Sequence, residues 1–191
     1  MNISFFSKNN KIETVLQSEV NECGAACLSM CFQYFGMNAT LPLLRRKYPF
    51  SASGLDMAQL SDVCSHEGVI SDVYSLDISD LHNLTIPSIL HWDLSHFVVL
   101  ESVDVKKSTC VIHDPAKGKF TMPFDEVSKH FSGYAMCLEK GSAEVVSESK
   151  TAWDKYAEEN IKPLSFKGLF TKSTGLISGL RNLLLLTLVI Q

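Results

Sequence analysis

Cys23 follows a polar run, Gln17-Ser18-Glu19-Val20-Asn21-Glu22, and opens an apolar stretch, Gly24-Ala25-Ala26-Cys27-Leu28. The pattern predicts a helix that begins at the cysteine. A thiol there lies beside backbone N–H groups that have no intrahelical acceptor, at the positive end of the helix dipole, and both favour thiolate over thiol. Gln17, six residues upstream, can fold back and offer an amide N–H to an oxyanion developing near the thiol. A nucleophile of this kind needs a base, and the base needs a group that orients it.

The chain has six histidines. His66, His82 and His130 fall in amphipathic or loop contexts and read as surface residues. His91, His96 and His113 lie in a region of β-like runs. His96 opens the run His96-Phe97-Val98-Val99-Leu100 after the turn-like Asp93-Leu94-Ser95, and the next run ends at Asp114. If these two runs form a hairpin turning at Val105–Lys107, paired positions sum to roughly 211 to 213, and His96 lies nearly opposite Asp114. An imidazole beside a carboxylate is the arrangement that fixes a tautomer and stabilises an imidazolium. His91 and His113 are weaker candidates, because the register gives neither a carboxylate of its own.

The other cysteines, Cys27, Cys31, Cys64, Cys110 and Cys137, read as packing residues in apolar surroundings. A metal site from Cys23, Cys27 and Cys31 is excluded by distance: a helix rising ~1.5 Å per residue puts the outer two about 12 Å apart. No Gly-x-Ser-x-Gly, P-loop or dinucleotide fingerprint is present.

The elements that must position these side chains follow from periodicity and caps. Ile12–Leu16 reads as an extended lead-in. Helices are predicted over Cys23–Phe35, ended by Gly36; from Thr40 as N-cap, with Pro42 in the first turn, through Lys47; and over Met57–His66, capped by Asp56 and closed by Gly68. Strands are predicted at Val69–Leu76, Ser88–Trp92, His96–Asp104, Thr109–Asp114, Lys119–Met122 and Tyr134–Glu139. Short helices or turns fill Asp77–Leu84 and Pro123–Phe131. Helices followed by a mostly antiparallel sheet make an α+β fold.

The 191 residues suffice for one domain with a full core and an extension, and 46% hydrophobic with 20% charged residues excludes a disordered chain. A net charge of −4 argues against a nucleic-acid partner. The N-terminus shows no signal peptide, so the even cysteine count is not a disulfide framework and a reducing cytoplasm is expected. Residues 141–165 turn polar and read as a linker, in which Trp153 and Tyr156 are candidate interfacial anchors. Residues 166–191 end in a leucine-rich run that stops short of the roughly 20 residues a span needs. That run reads as an interrupted transmembrane helix, with an amphipathic terminal helix as the alternative.

Three separated motifs carry a family resemblance. The stretch Gln17-x4-Glu22-Cys23-Gly24-Ala25-Ala26-Cys27-Leu28, the pair Ile89-Leu90-His91-Trp92 and Ser95-His96-Phe97-Val98-Val99-Leu100, and His113-Asp114-Pro115-Ala116-Lys117-Gly118 together resemble the C39 peptidases. These form the N-terminal domains of bacterial peptidase-containing ABC transporters. Leu44-Arg45-Arg46-Lys47-Tyr48 and Ser51-Ala52-Ser53-Gly54 resemble the subgroup that exports colicin V and other microcins. The resemblance spans about residues 12–140 and implies a domain over 1–140 with a papain-like fold, its N-terminal helices packed on an antiparallel sheet. It implies Cys23 as nucleophile, His96 as base, Asp114 as orienting carboxylate and Gln17 as oxyanion donor. Glu22 stands where the family more often has aspartate, and Ser95 where asparagine is frequent; neither position is catalytic.

The resemblance further implies cleavage after the second glycine of a Gly-Gly leader on a bacteriocin or microcin precursor. It implies no cofactor for this domain, with ATP and Mg belonging to a nucleotide-binding domain absent from this chain. The implied partners are the leader precursor and the transmembrane and ATPase domains of the same exporter, as a homodimer. The implied location is the bacterial inner membrane, with the peptidase on its cytoplasmic side. Two alternatives stay open: a catalytically silent domain that only captures substrates, and an unrelated cysteine hydrolase without a transporter.

Overall fold

The computed structural model describes residues 11–48 and 51–141. Three helices come first: α1 (Cys23–Tyr34), α2 (Leu41–Lys47) and α3 (Met57–His66). Six strands follow: β1 (Val69–Ser75), β2 (Ser88–Trp92), β3 (His96–Asp104), β4 (Thr109–Asp114), β5 (Gly118–Pro123) and β6 (Phe131–Lys140), with α4 (Phe124–His130) before the last. Single 3₁₀ segments stand at Val20–Glu22 and Ile78–Asn83. The fold is α+β, as the order of periodicities predicts. The expected linker over 141–165, with Trp153 and Tyr156, and the expected start of a membrane span over 166–191 lie outside the described residues, Gly141 excepted. Among the described residues no helix is long and apolar enough to cross a membrane.

Local chemistry explains the helix boundaries. Asp56 accepts the N–H of Gln59 at 2.8 Å while the Gln59 side chain accepts the N–H of Asp56 at 2.9 Å, a reciprocal cap on α3. Gly68 at φ +72° follows the end of α3, in the left-handed conformation that closes a helix. Thr40 precedes α2 as predicted but makes no side-chain cap bond; Pro42 in the first turn fixes the start instead.

The sheet runs β1-β6-β2-β3-β4-β5, with every neighbouring pair antiparallel. The last strand therefore returns to lie between β1 and β2. At the centre of the sheet the four residues Phe97–Leu100 are all buried, so β3 is covered on both faces. On one side Leu90, Val98, Leu100 and Ile112 pack with Leu81 of the 3₁₀ segment and Val127 of α4. On the other side lies α1, buried from Cys23 through Phe32. Each such side chain contributes roughly 1.5–3 kcal/mol on burial, so the packing of α1 against β3 holds the start of both elements firmly. Gly24 lets the start of α1 come close: a Cβ there would lie 3.0 Å from Leu60 Cδ2 and 3.5 Å from Phe97 Cδ2.

Candidate active site

Cys23 is the first residue of α1, entered through the 3₁₀ segment Val20–Glu22, as its position behind a polar run predicts. It is mostly enclosed, with 7% of its surface exposed. His96 is the first residue of β3 and Asp114 the last of β4. The ladder pairs Val99 with His113 and Leu100 with Ile112, the register expected from the turn at Val105–Lys107. The two end residues meet through their side chains: His96 Nε2 donates to Asp114 Oδ1 at 2.7 Å.

With Nε2 engaged by the carboxylate, Nδ1 is the ring nitrogen of His96 left for a thiol, and Cys23 lies close enough to act on the imidazole electrostatically. Burial pulls the histidine toward neutrality, but the Asp114 carboxylate and Cys23 outweigh it and raise the imidazolium to about 9. Burial pushes Asp114 the other way, toward protonation. The His96 bond, a bond from the Ala116 N–H at 2.8 Å and the nearby Lys117 overcome that and hold it below the usual carboxylate range. The environment thus separates the two groups, with a protonated imidazole beside an ionised carboxylate.

Gln17 sits on the lead-in segment, strapped to the loop that follows Asp114: its N–H donates to the Pro115 carbonyl at 2.9 Å. Its side-chain Oε1 is enclosed and has no hydrogen-bond partner among the described residues. The fold therefore ties the segment that carries Gln17 to the loop behind the carboxylate strand.

The remaining thiols differ from Cys23. Burial raises Cys27 and Cys31 well above the ordinary thiol range and lifts Cys64 to about 12 and Cys110 to about 11, which keeps all four protonated and inert. This matches the packing role expected for them, and Cys137 is buried too.

The histidines are partly a correction. His82 is exposed, as expected. His66 is buried and bonded to the Tyr48 hydroxyl rather than on the surface. Helical periodicity gave no sign of this, because the partner lies on the segment after α2. His130 is only partly exposed, stacked on Trp92 at 5.3 Å with its Nδ1 2.7 Å from Asp93 Oδ1. His113 does have a carboxylate partner. Its Nε2 donates to Glu101 Oε2 at 2.9 Å, and its Nδ1 accepts from the Thr14 hydroxyl at 2.7 Å. Glu101 is the extra residue of a bulge between Leu100 and Ser102, which a regular register does not contain. His91 lies outside the Cys23–His96–Asp114 cluster, half-buried against Phe97.

Three features had no readable signal. One is a groove of about 540 Å³ between the 51–57 segment and the 94–97 segment, lined by Leu55, Met57, Val73, Leu94, Phe97 and Tyr134. The wall that Ser51 forms is tied to Asn21, whose side-chain amide donates to the Ser51 carbonyl at 2.9 Å. Another is Gly54, at φ +81°, where a Cβ would lie 2.8 Å from the Asn21 carbonyl oxygen; only glycine allows that approach. The last is the ion pair between Glu22 and Arg45.

Comparison with known proteins follows the same residues. The model of the Peptidase C39 family matches residues 11–143. A probable microcin-H47 secretion/processing ATP-binding protein, MchF, and the colicin V secretion/processing ATP-binding protein CvaB, both from Escherichia coli, are each 41% identical over 132 residues, 69% of this chain and 19% of theirs. The chain thus spans about a fifth of the length of these curated relatives. Among solved structures, a double glycine motif protease from an AMS/PCAT transporter, crystallised with its leader peptide, is similar at 29% identity and a TM-score of 0.64, over 69% of this chain and 93% of that one. The peptidase domain of Streptococcus ComA shares the fold at 21% identity and a TM-score of 0.62, over 69% of this chain and all of that domain. With a matching family model over most of its length and a cysteine, a histidine and an aspartate brought together in this order, the chain belongs to the peptidase C39 family of cysteine peptidases.

Proposed function

We propose that this chain cleaves the leader from a bacteriocin or microcin precursor after a Gly-Gly pair, as the peptidase part of an ABC exporter. One observation carries the reading: a single imidazole bonded to Asp114 on one nitrogen, its other nitrogen left for the nearby Cys23, in a chain of this family. In the proposed reaction the thiol proton has passed to His96 Nδ1 before attack, and the Cys23 thiolate sulfur adds to the carbonyl carbon of the second glycine. The resulting oxyanion accepts from the Gln17 amide and the backbone N–H of Cys23. The C–N bond then breaks as His96 returns its proton to the leaving amine. Water, deprotonated by the same imidazole, hydrolyses the thioester, releasing the leader acid and restoring the thiol.

The groove lined by Ser95 and Phe97, the two neighbours of His96 in sequence, is the place this reading gives to the leader. Leu94, Val73 and Tyr134 are exposed apolar groups along it, suited to the apolar face of a leader helix. A narrow cleft at the thiol would select glycine by excluding any Cβ. The remainder of the exporter supplies the membrane and ATPase domains, with ATP and Mg bound there, in a homodimer at the bacterial inner membrane. This domain needs no cofactor for the chemistry proposed.

Incubation of the chain with a Gly-Gly precursor, read by mass spectrometry, tests the proposal. The expected product is the leader ending in Gly-Gly, and Cys23→Ala is expected to abolish it while holding leader affinity within about threefold. Cleavage by the alanine variant would remove Cys23 as nucleophile. Leader binding without cleavage by the unaltered chain would make it a receptor instead.

A further inference from the structure

Between Gln17 and Cys23 the chain is held from within by Glu22, whose side chain is only 3% exposed. Its Oε2 accepts the backbone N–H groups of Ser18 at 3.0 Å and Glu19 at 3.1 Å, the two residues that follow Gln17. Its Oε1 accepts from Arg45 Nε on α2 at 2.5 Å. Its own backbone leads directly into Cys23. One carboxylate therefore grips both ends of the loop that separates the amide from the thiol, and the bond from Gln17 N–H to the Pro115 carbonyl fixes the outer end.

The electrostatics favour the arginine. Burial opposes ionisation of Glu22, yet the Arg45 bond and the two backbone bonds outweigh it and hold the group below the usual carboxylate range. A bare carboxylate one residue from a thiol that must ionise would oppose that ionisation. Arg45 balances the charge and leaves the two N–H bonds intact. Its side chain is 46% exposed, so removing it opens no hole in the core.

We propose that Glu22 and Arg45 are positioning residues that set the spacing between the Gln17 amide and the Cys23 sulfur, so that they support the tetrahedral oxyanion and not the bound peptide. The proposal rests on the reading of Gln17 and Cys23 given above. A residue that acts in this way lowers turnover without weakening the binding of uncleaved substrate.

The test uses the full chain, a Gly-Gly precursor and a peptide aldehyde ending in the same residues, whose adduct with Cys23 imitates the tetrahedral state. Glu22→Ala is expected to lower kcat about tenfold or more with KM within about twofold, and to weaken the aldehyde by the same factor. Arg45→Met is expected to fall in the same direction by a smaller factor, Arg45→Lys to recover most of that loss, and the double variant to be no worse than Glu22→Ala alone. Glu22→Gln and Arg45→Met decide the matter if Glu22→Ala does not fold. Turnover within about twofold of the unaltered chain in both Glu22→Gln and Arg45→Met, a KM that rises while kcat holds, or aldehyde affinity that stays put while kcat falls would each overturn the inference. An unaltered chain that cleaves nothing would overturn the functional reading and this inference with it. Cleavage that depends on Cys23 but ignores Glu22 and Arg45 would overturn the inference alone.

Discussion

Nε2 of His96 lies 2.7 Å from Oδ1 of Asp114, although the ladder between their strands does not pair the two residues. Each ends its strand on the same side of the hairpin, and the bulge at Glu101 shifts the register between them and the turn. The contact is thus made by side chains that converge beyond the last paired positions.

The pH profile of turnover follows from that contact. Burial lowers the histidine, but Asp114 and Cys23 raise it to about 9, so the imidazolium that stabilises a neighbouring thiolate persists until the pH passes that value. We expect kcat/KM to fall on its alkaline side near pH 9. Asp114→Asn removes the largest raising influence and is expected to move that limb to lower pH, with kcat down roughly 10- to 1,000-fold. A limb unmoved by this substitution would show that Asp114 does not govern His96.

Stability should change over the same window. The folded value of His96 lies above its ordinary 6.5, so protonation of this group favours the folded state. That contribution is complete below about pH 6.5 and is lost as pH rises through about 9. Thermal unfolding is expected to show a decline in Tm across this interval, and Asp114→Asn to flatten it. A Tm that rises with pH here would contradict the sign.

Groove residues should separate binding from chemistry. Leu94 is 81% and Tyr134 51% exposed, so polar replacements leave the core intact. Leu94→Ser and Tyr134→Ser are expected to raise KM for a full-length precursor roughly 3- to 10-fold with kcat unchanged, and to leave short Gly-Gly peptides unaffected. Equal effects on both substrates would move the leader to another surface.

Gly54 is the most constrained glycine near the thiol. Alanine there would adopt φ +81° and press its Cβ to 2.8 Å from a backbone oxygen, which cannot yield as a side chain can. Gly54→Ala is expected to cost about 1–3 kcal/mol in urea unfolding, with a loss of turnover as Asn21 is displaced. Full stability and turnover in that variant would mean the loop relaxes freely.

What could be read beforehand was whatever is local or set by counting. The start of α1 at Cys23, the Asp56 cap and the β3–β4 register depend on short-range pattern, and they put Cys23 at the start of α1, His96 at the start of β3 and Asp114 at the end of β4, where the structure has them. The hidden parts all depend on contacts between distant segments. Tyr48 buries His66, Glu101 reaches His113 only through a bulge, Arg45 answers Glu22 from another helix, and β6 inserts between β1 and β2. None leaves a periodic trace, because each requires knowing which surfaces face one another. The expected membrane segment lies outside the described residues.

The bond from Gln17 N–H to the Pro115 carbonyl has a consequence for how the molecule is made. During synthesis the thiol-bearing helix leaves the ribosome long before His96, and His96 before Asp114 and Pro115. Contacts of such wide separation form late, after the loops between them have closed. A nascent chain therefore carries an unaided cysteine, and the site is assembled only after β3, β4 and the loop at Pro115 have joined the lead-in segment and α1.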